Sequence, residues 1–72
     1  MSDINVYMTK YGELHEHPRS GQYTFRGLLG EMPVPRDTML RATRIGHKFP
    51  HVFNRLHYMA DWCHFKLLQA SQ

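Results

Sequence analysis

The chain has one cysteine, Cys63, and no apolar run that approaches the ~20 residues a membrane-spanning helix needs. A single cysteine excludes an intramolecular disulfide framework and points to a reducing compartment. The glycine patterns that cradle phosphates are missing. There is no GxGxxG and no GxxxxGK[ST], and GLLG at 27–30 is only two glycines around two leucines. The opening MSDINVYMTKYG has no basic region followed by an apolar run, so it does not read as a secretory signal, and a cytoplasmic chain is expected. Acidic charge is scarce in one place above all. Between residues 36 and 55, Asp37 stands alone against Arg36, Arg41, Arg44, Lys48 and Arg55, a local balance of +4.

Catalytic constellations are equally scarce. Cys63 and His64 are neighbours, and successive helical residues do not face each other. Ser20 and Ser71 fall in a turn and a tail, with no carboxylate and imidazole that the sequence sets beside them. Seventy-two residues are read as one small domain, 1–72. A domain of that size buries only about 60% of its unfolded-chain surface, so its apolar side chains are all needed for one core. Neither an enzyme nor a cofactor is expected.

What the sequence does have is the stretch from Phe49 to Ala70, which reads as one long C-terminal helix. Phe49, Val52, Phe53, Leu56, Met59, Ala60, Cys63 and Leu67 repeat at i, i+3, i+4, i+7 and form its core face. Pro50 suits a first turn. Tyr58, Trp62 and Phe65 form a second apolar stripe on nearly the opposite side. After the strands are spent, only Ile45, Val34 and Met32 remain to cover it, so at least one of the three is expected to be exposed. Asn54, His57, Asp61 and His64 run down one flank, Arg55 and Lys66 down the other.

The N-terminal half has strand periodicity. Ile4, Val6 and Met8 alternate with Asn5, Tyr7 and Thr9, Gly12 punctuates, and Glu13–His17 extends a short strand. Pro18, Ser20 and Gly21 make a turn, and Gln22 to Leu29 reads as the next strand, with Tyr23, Phe25 and Leu29 on one face. Pro33 and Pro35 then predict an extended linker. Asp37 is the expected N-cap of a short helix over 38–45, stopped by Gly46, with a strand as the competing reading.

Together these predict an α+β fold, an N-terminal β-hairpin or small antiparallel sheet packed on the long helix. Ile4, Val6, Met8, Tyr23, Phe25 and Leu29 should meet Val52, Phe53, Leu56, Ala60, Cys63 and Leu67.

Six histidines are many for this length. His57, Asp61 and His64 share a helical flank and are competent metal ligands. The simpler reading is that Asp61 accepts a hydrogen bond from one or both imidazoles, and no metal is expected.

The basic block and the aromatic stripe carry the functional reading. Arg41, Arg44, Lys48 and Arg55, with Tyr58, Trp62 and Phe65, combine the residue types enriched at interface centres, and a protein partner is expected. The alternative is a helix-turn-helix-like nucleic-acid module over 38–56. Ala42 would sit at the helix crossing, Ile45 and Val52 would be buried, and Arg44, Lys48, His51 and Arg55 would meet the duplex. Arg41 in an apolar position and Pro50 inside the second helix speak against it. Weak or no direct nucleic-acid binding is therefore expected.

In length, basic character, single cysteine, lack of enzymatic motif and strands-then-helix order, the chain resembles the small host-takeover proteins of bacteriophages. It is most similar to the transcription inhibitors and antiterminators of lytic phages that bind RNA polymerase. That resemblance implies a small α+β protein docking on bacterial RNA polymerase in the host cytoplasm and altering promoter engagement or termination. Anti-CRISPR inhibitors share the same character and are a further alternative. No functional residue is carried over.

Overall fold

The computed structural model describes residues 3–72; Met1 and Ser2, which begin the segment read above as no secretory signal, lie outside it. The elements run β1 (Asn5–Thr9), β2 (Gly12–His17), β3 (Gln22–Gly27), β4 (Gly30–Pro33), α1 (Arg36–Lys48) and α2 (Arg55–Ala70). The strands form one antiparallel sheet in the order β1-β2-β3-β4. This is the expected α+β class with a small antiparallel sheet.

Two hairpins turn inside stretches whose patterning predicts a continuous strand or a linker. Lys10-Tyr11 joins β1 to β2, and Leu28-Leu29 joins β3 to β4. Tight hairpins favour positive φ at their central residues. Here no described non-glycine residue has positive φ, and the glycine after each turn takes it instead, Gly12 at 155° and Gly30 at 133°. So Gly12 starts a strand of its own, and Gly30–Pro33 is a strand rather than a linker. Proline is permitted there because β4 is an edge. Beyond Pro33, the Val34 N–H still donates to the Tyr23 carbonyl at 2.9 Å.

Register decides which side chains are buried. Tyr7, Leu14, Phe25 and Met32 lie opposite one another across the four strands and share the face that meets the helices. Leu14 and Phe25 are fully buried. Val6, His15, Thr24 and Pro33 form the adjacent row on the outer face. The expected core set Ile4, Val6 and Met8 is therefore on the wrong side, and these residues are 39%, 51% and 72% exposed. Leu29, also expected in the core, is exposed at the β3–β4 turn.

Helix α2 begins six residues later than expected and has 16 residues. Asn54 is its cap: the Oδ1 atom accepts from the N–H groups of Leu56 (3.0 Å) and His57 (3.1 Å). This satisfies two of the donors that a helix start leaves free. Phe49 and Val52 continue the helical spacing but lie in the loop before the cap, exposed. Met59, Ala60 and Cys63 are buried as expected, and Leu56 and Leu67 pack at the margin of the same cluster.

Helix α2 approaches all four strands, while α1 packs beside it. Helix α1 runs past both expected ends. Pro35, not Asp37, is the N-cap, and Gly46 lies inside the helix. Tertiary packing overrides the glycine stop signal, since the Phe53 ring lies over Gly46. Ala42 and Thr38 face inward and are buried. The core is one cluster: Leu14, Tyr23 and Phe25 from the sheet, Val34, Ala42 of α1, and Met59, Ala60 and Cys63 of α2.

Candidate functional site

The back of α2 is a surface groove floored and walled by Phe53, Tyr58, Trp62 and Phe65, with His57, Asp61 and Lys66 along it. Its construction starts at the helix cap. Phe53 immediately precedes Asn54, and its ring packs on Tyr58 at 5.5 Å between centroids. An apolar residue before the cap, packed on the fourth helical residue, is a hydrophobic staple that fixes the angle at which the chain enters the helix. Trp62 and Phe65 then follow Tyr58 at i+4 and i+7, the spacing that keeps side chains on one helical face.

Basic groups rim the groove. Arg41 of α1 donates from Nη1 to the Tyr58 hydroxyl oxygen at 3.4 Å. Lys66 Nζ stands 5.7 Å from the Trp62 ring centroid, within cation–π range. At the far end, Phe65 meets Tyr11 edge-on at 5.5 Å and His64 edge-on at 5.1 Å. Phe65 is 49% exposed, whereas Tyr58 and Trp62 are half-buried. The expectation of at least one exposed member of the stripe holds.

The fold divides the seven residues singled out from the sequence. Arg41, Tyr58, Trp62 and Phe65 come together at the groove. Arg44 and Lys48 sit apart on the outer face of α1, beside Leu40, Thr43 and His47. Arg55, first residue of α2, lines a different cleft with Arg36, Ser20, Tyr23, Leu40 and Thr43. The basic block is thus split, with Arg41 at the groove and Arg44, Lys48 and Arg55 in two adjoining clefts along α1.

The helix-turn-helix geometry expected as the alternative is not formed. The connection between the helices, residues 49–54, is six residues rather than a tight turn, and Val52, which that geometry buries, is 85% exposed.

The histidines are engaged separately. Asp61 makes no hydrogen bond to His57 or His64, contrary to expectation; the His64 ring turns toward the sheet and stacks on Tyr11. His15 Nε2 is 2.9 Å from Glu13 Oε1, and His17 Nε2 is 3.3 Å from Thr24 Oγ1. Among the described residues, no three His, Cys, Asp or Glu side chains are grouped to hold a metal ion. Burial pushes the Cys63 thiol up to about 11, which keeps it protonated and a poor nucleophile at neutral pH.

A polar cluster that no motif singles out ties the sheet to the start of α2. Glu16 accepts hydrogen bonds from the Tyr23 hydroxyl (2.8 Å), Asn5 Nδ2 (3.1 Å) and the Tyr7 hydroxyl (3.2 Å). Tyr23 foremost, then Asn5, hold its carboxyl below the ordinary carboxylate range, with Arg55 adding to the effect. The signal was present in register alone, since Asn5, Glu16 and Tyr23 are directly opposed.

No described helix is long and apolar enough to cross a membrane. Comparison with protein-family models, with curated proteins and with solved structures finds no match to this chain.

Proposed function

We propose that the chain is a non-enzymatic binding module that docks on a host protein complex through the groove on the back of α2. The observation that carries this is the groove's composition. Three aromatic side chains at helical spacing, one of them half-exposed, are rimmed by Arg41 and Lys66. Exposed aromatic anchors beside Arg are the residue types that dominate binding energy at protein interfaces. The rim selects an acidic surface on the partner. The resemblance to phage host-takeover proteins makes bacterial RNA polymerase the complex to test, with inhibition or modification of transcription as the consequence. The test is binding of the purified chain to purified polymerase. A stoichiometric complex that also changes transcript yield supports the reading; absence of a complex overturns the choice of polymerase.

A second reading rests on α1. Its outer face gathers Arg44, His47 and Lys48 around Leu40 and Thr43, and the adjoining cleft adds Arg36 and Arg55, with no acidic side chain lining either. That surface suits phosphates. If duplex DNA is the ligand, log affinity falls with log salt at about −0.9 per phosphate neutralised. The protein reading predicts only weak retention that disappears at physiological salt.

A further inference from the structure

The two edges of the sheet are built differently. Strand β4 is four residues long, ends on Pro33 and carries Glu31, which pairs with Arg26 at 3.0 Å. A short strand, a charge and a proline are the means by which sheet edges avoid pairing with another chain. Strand β1 has none of them. Its five residues, Asn5–Thr9, include no charge, no proline and no glycine. Among the described residues, β2 is its only hydrogen-bonded neighbour in the sheet. In an antiparallel strand the N–H and C=O groups of alternate residues point to opposite edges, so those directed away from β2 are open. The side chains beside that edge are apolar and exposed: Val6 at 51% and Met8 at 72% on the outer face, Tyr7 at 37% on the other.

We propose that β1 pairs antiparallel with β1 of a second copy, joining the two four-stranded sheets into one continuous sheet. The strand is complementary to itself. About a two-fold axis at Tyr7, Val6 lies opposite Met8 of the copy, Asn5 opposite Thr9, and Tyr7 opposite Tyr7. Apolar meets apolar, polar meets polar, and each side chain stays on its own face of the sheet. Charge favours this edge as well. The chain carries +3, concentrated on α1 and the start of α2, so two copies repel through those surfaces, whereas β1 opposes no like charges. An extended segment of another protein fits the same open edge, but a second copy brings the matching side chains in its own β1.

Sedimentation equilibrium over a wide concentration range, at low and high salt, tests the proposal. The expected result is a reversible species of twice 8.6 kDa that high salt does not dissociate. Val6→Lys and Met8→Lys each return it to monomer while keeping a cooperative melt, and Leu28→Lys, at an exposed site in the β3–β4 turn, stays dimeric. A parent that is monomeric throughout overturns the proposal, as does a dimer that survives both β1 substitutions or is dissociated by Leu28→Lys. If either β1 variant loses its cooperative melt, amide exchange in the parent decides. Slow exchange along the open edge of β1 at high concentration and fast exchange on dilution supports pairing; fast exchange at both overturns it.

Discussion

The ring of Tyr11 lies flat on the imidazole of His64, centroids 3.9 Å apart and planes within 4° of parallel. Phe65 closes on both edge-on. One tight turn of the sheet is thereby clamped to the middle of α2, which holds the far end of the groove in place. Stacked ring pairs contribute about 0.5–1.5 kcal/mol beyond their buried area. A double-mutant cycle with Tyr11→Ala and His64→Ala, read by urea unfolding, should return a coupling in that range. Additive losses would show that the two rings do not act together.

Two glycines should respond in opposite directions. Gly46 lies inside α1, where a Cβ would make an ordinary 3.5 Å contact with the Phe53 ring. Gly46→Ala should therefore raise stability by roughly 0.5–1 kcal/mol through helix propensity. At Gly12 a Cβ would collide with the Arg26 carbonyl oxygen, and φ is 155°. Gly12→Ala should lower the thermal midpoint and loosen the β1–β2 hairpin. A midpoint that rises in both variants would contradict this account of the turn.

These glycines also show how far the sequence could be read. Alternation along β1 correctly groups Ile4, Val6 and Met8 on one face, but a period of two carries no sign. Which face is buried was decided by Leu14 and Phe25, fixed opposite Tyr7 through register, and that depends on where the turns fall. On α2 the buried Met59, Ala60 and Cys63 were legible because helical spacing and burial agree there. Phe49 and Val52 keep the spacing, yet the Asn54 cap is the stronger local signal and starts the helix six residues inside the pattern. The groove was half legible. Tyr58, Trp62 and Phe65 follow from spacing, while Arg41's arrival at Tyr58 and Arg55's departure from the group depend on how α1 packs on α2.

Stability should fall at both ends of the pH range. Hydrogen bonds to Glu16, led by that of Tyr23, hold its pKa below the ordinary 4.5, so the folded state binds fewer protons there than the unfolded chain. That stability is present above pH 4.5 and is lost as pH falls through the folded value. Glu16→Gln should flatten the acid limb of a plot of thermal midpoint against pH.

At the alkaline end, burial raises the Cys63 thiol from 9.0 to about 11. Its contribution is present below pH 9 and is lost as pH rises toward 11. The raised Tyr23, chiefly from burial, and Tyr7, chiefly from the Glu16 charge, act in the same direction above their ordinary value of 10.0. Native thiol labelling at mild alkaline pH should proceed no faster than the protein opens, and denaturant should accelerate it sharply. Fast native labelling would mean that Cys63 is not sealed in the core.

A core position and a groove position should separate folding from binding. Phe25 is fully buried, and Phe25→Ala should cost about 3–5 kcal/mol, enough to unfold a domain of this size. Phe65→Ala should leave the cooperative melt in place yet weaken partner binding at least about thirtyfold, the effect of losing a ~2 kcal/mol anchor. Unchanged affinity in a folded Phe65→Ala protein would remove the groove from the interface.

Trp62 is the chain's one tryptophan and lies in the groove, so a 5-fluorotryptophan label reports on that site alone. Titrating the labelled chain with purified bacterial RNA polymerase shows whether the groove is the surface that binds. The fluorine resonance should shift or broaden in proportion to the complex formed, and Phe65→Ala should require more polymerase for the same change. A complex that forms while the Trp62 resonance stays in place would contradict binding through the groove, because the polymerase would then be held by another surface.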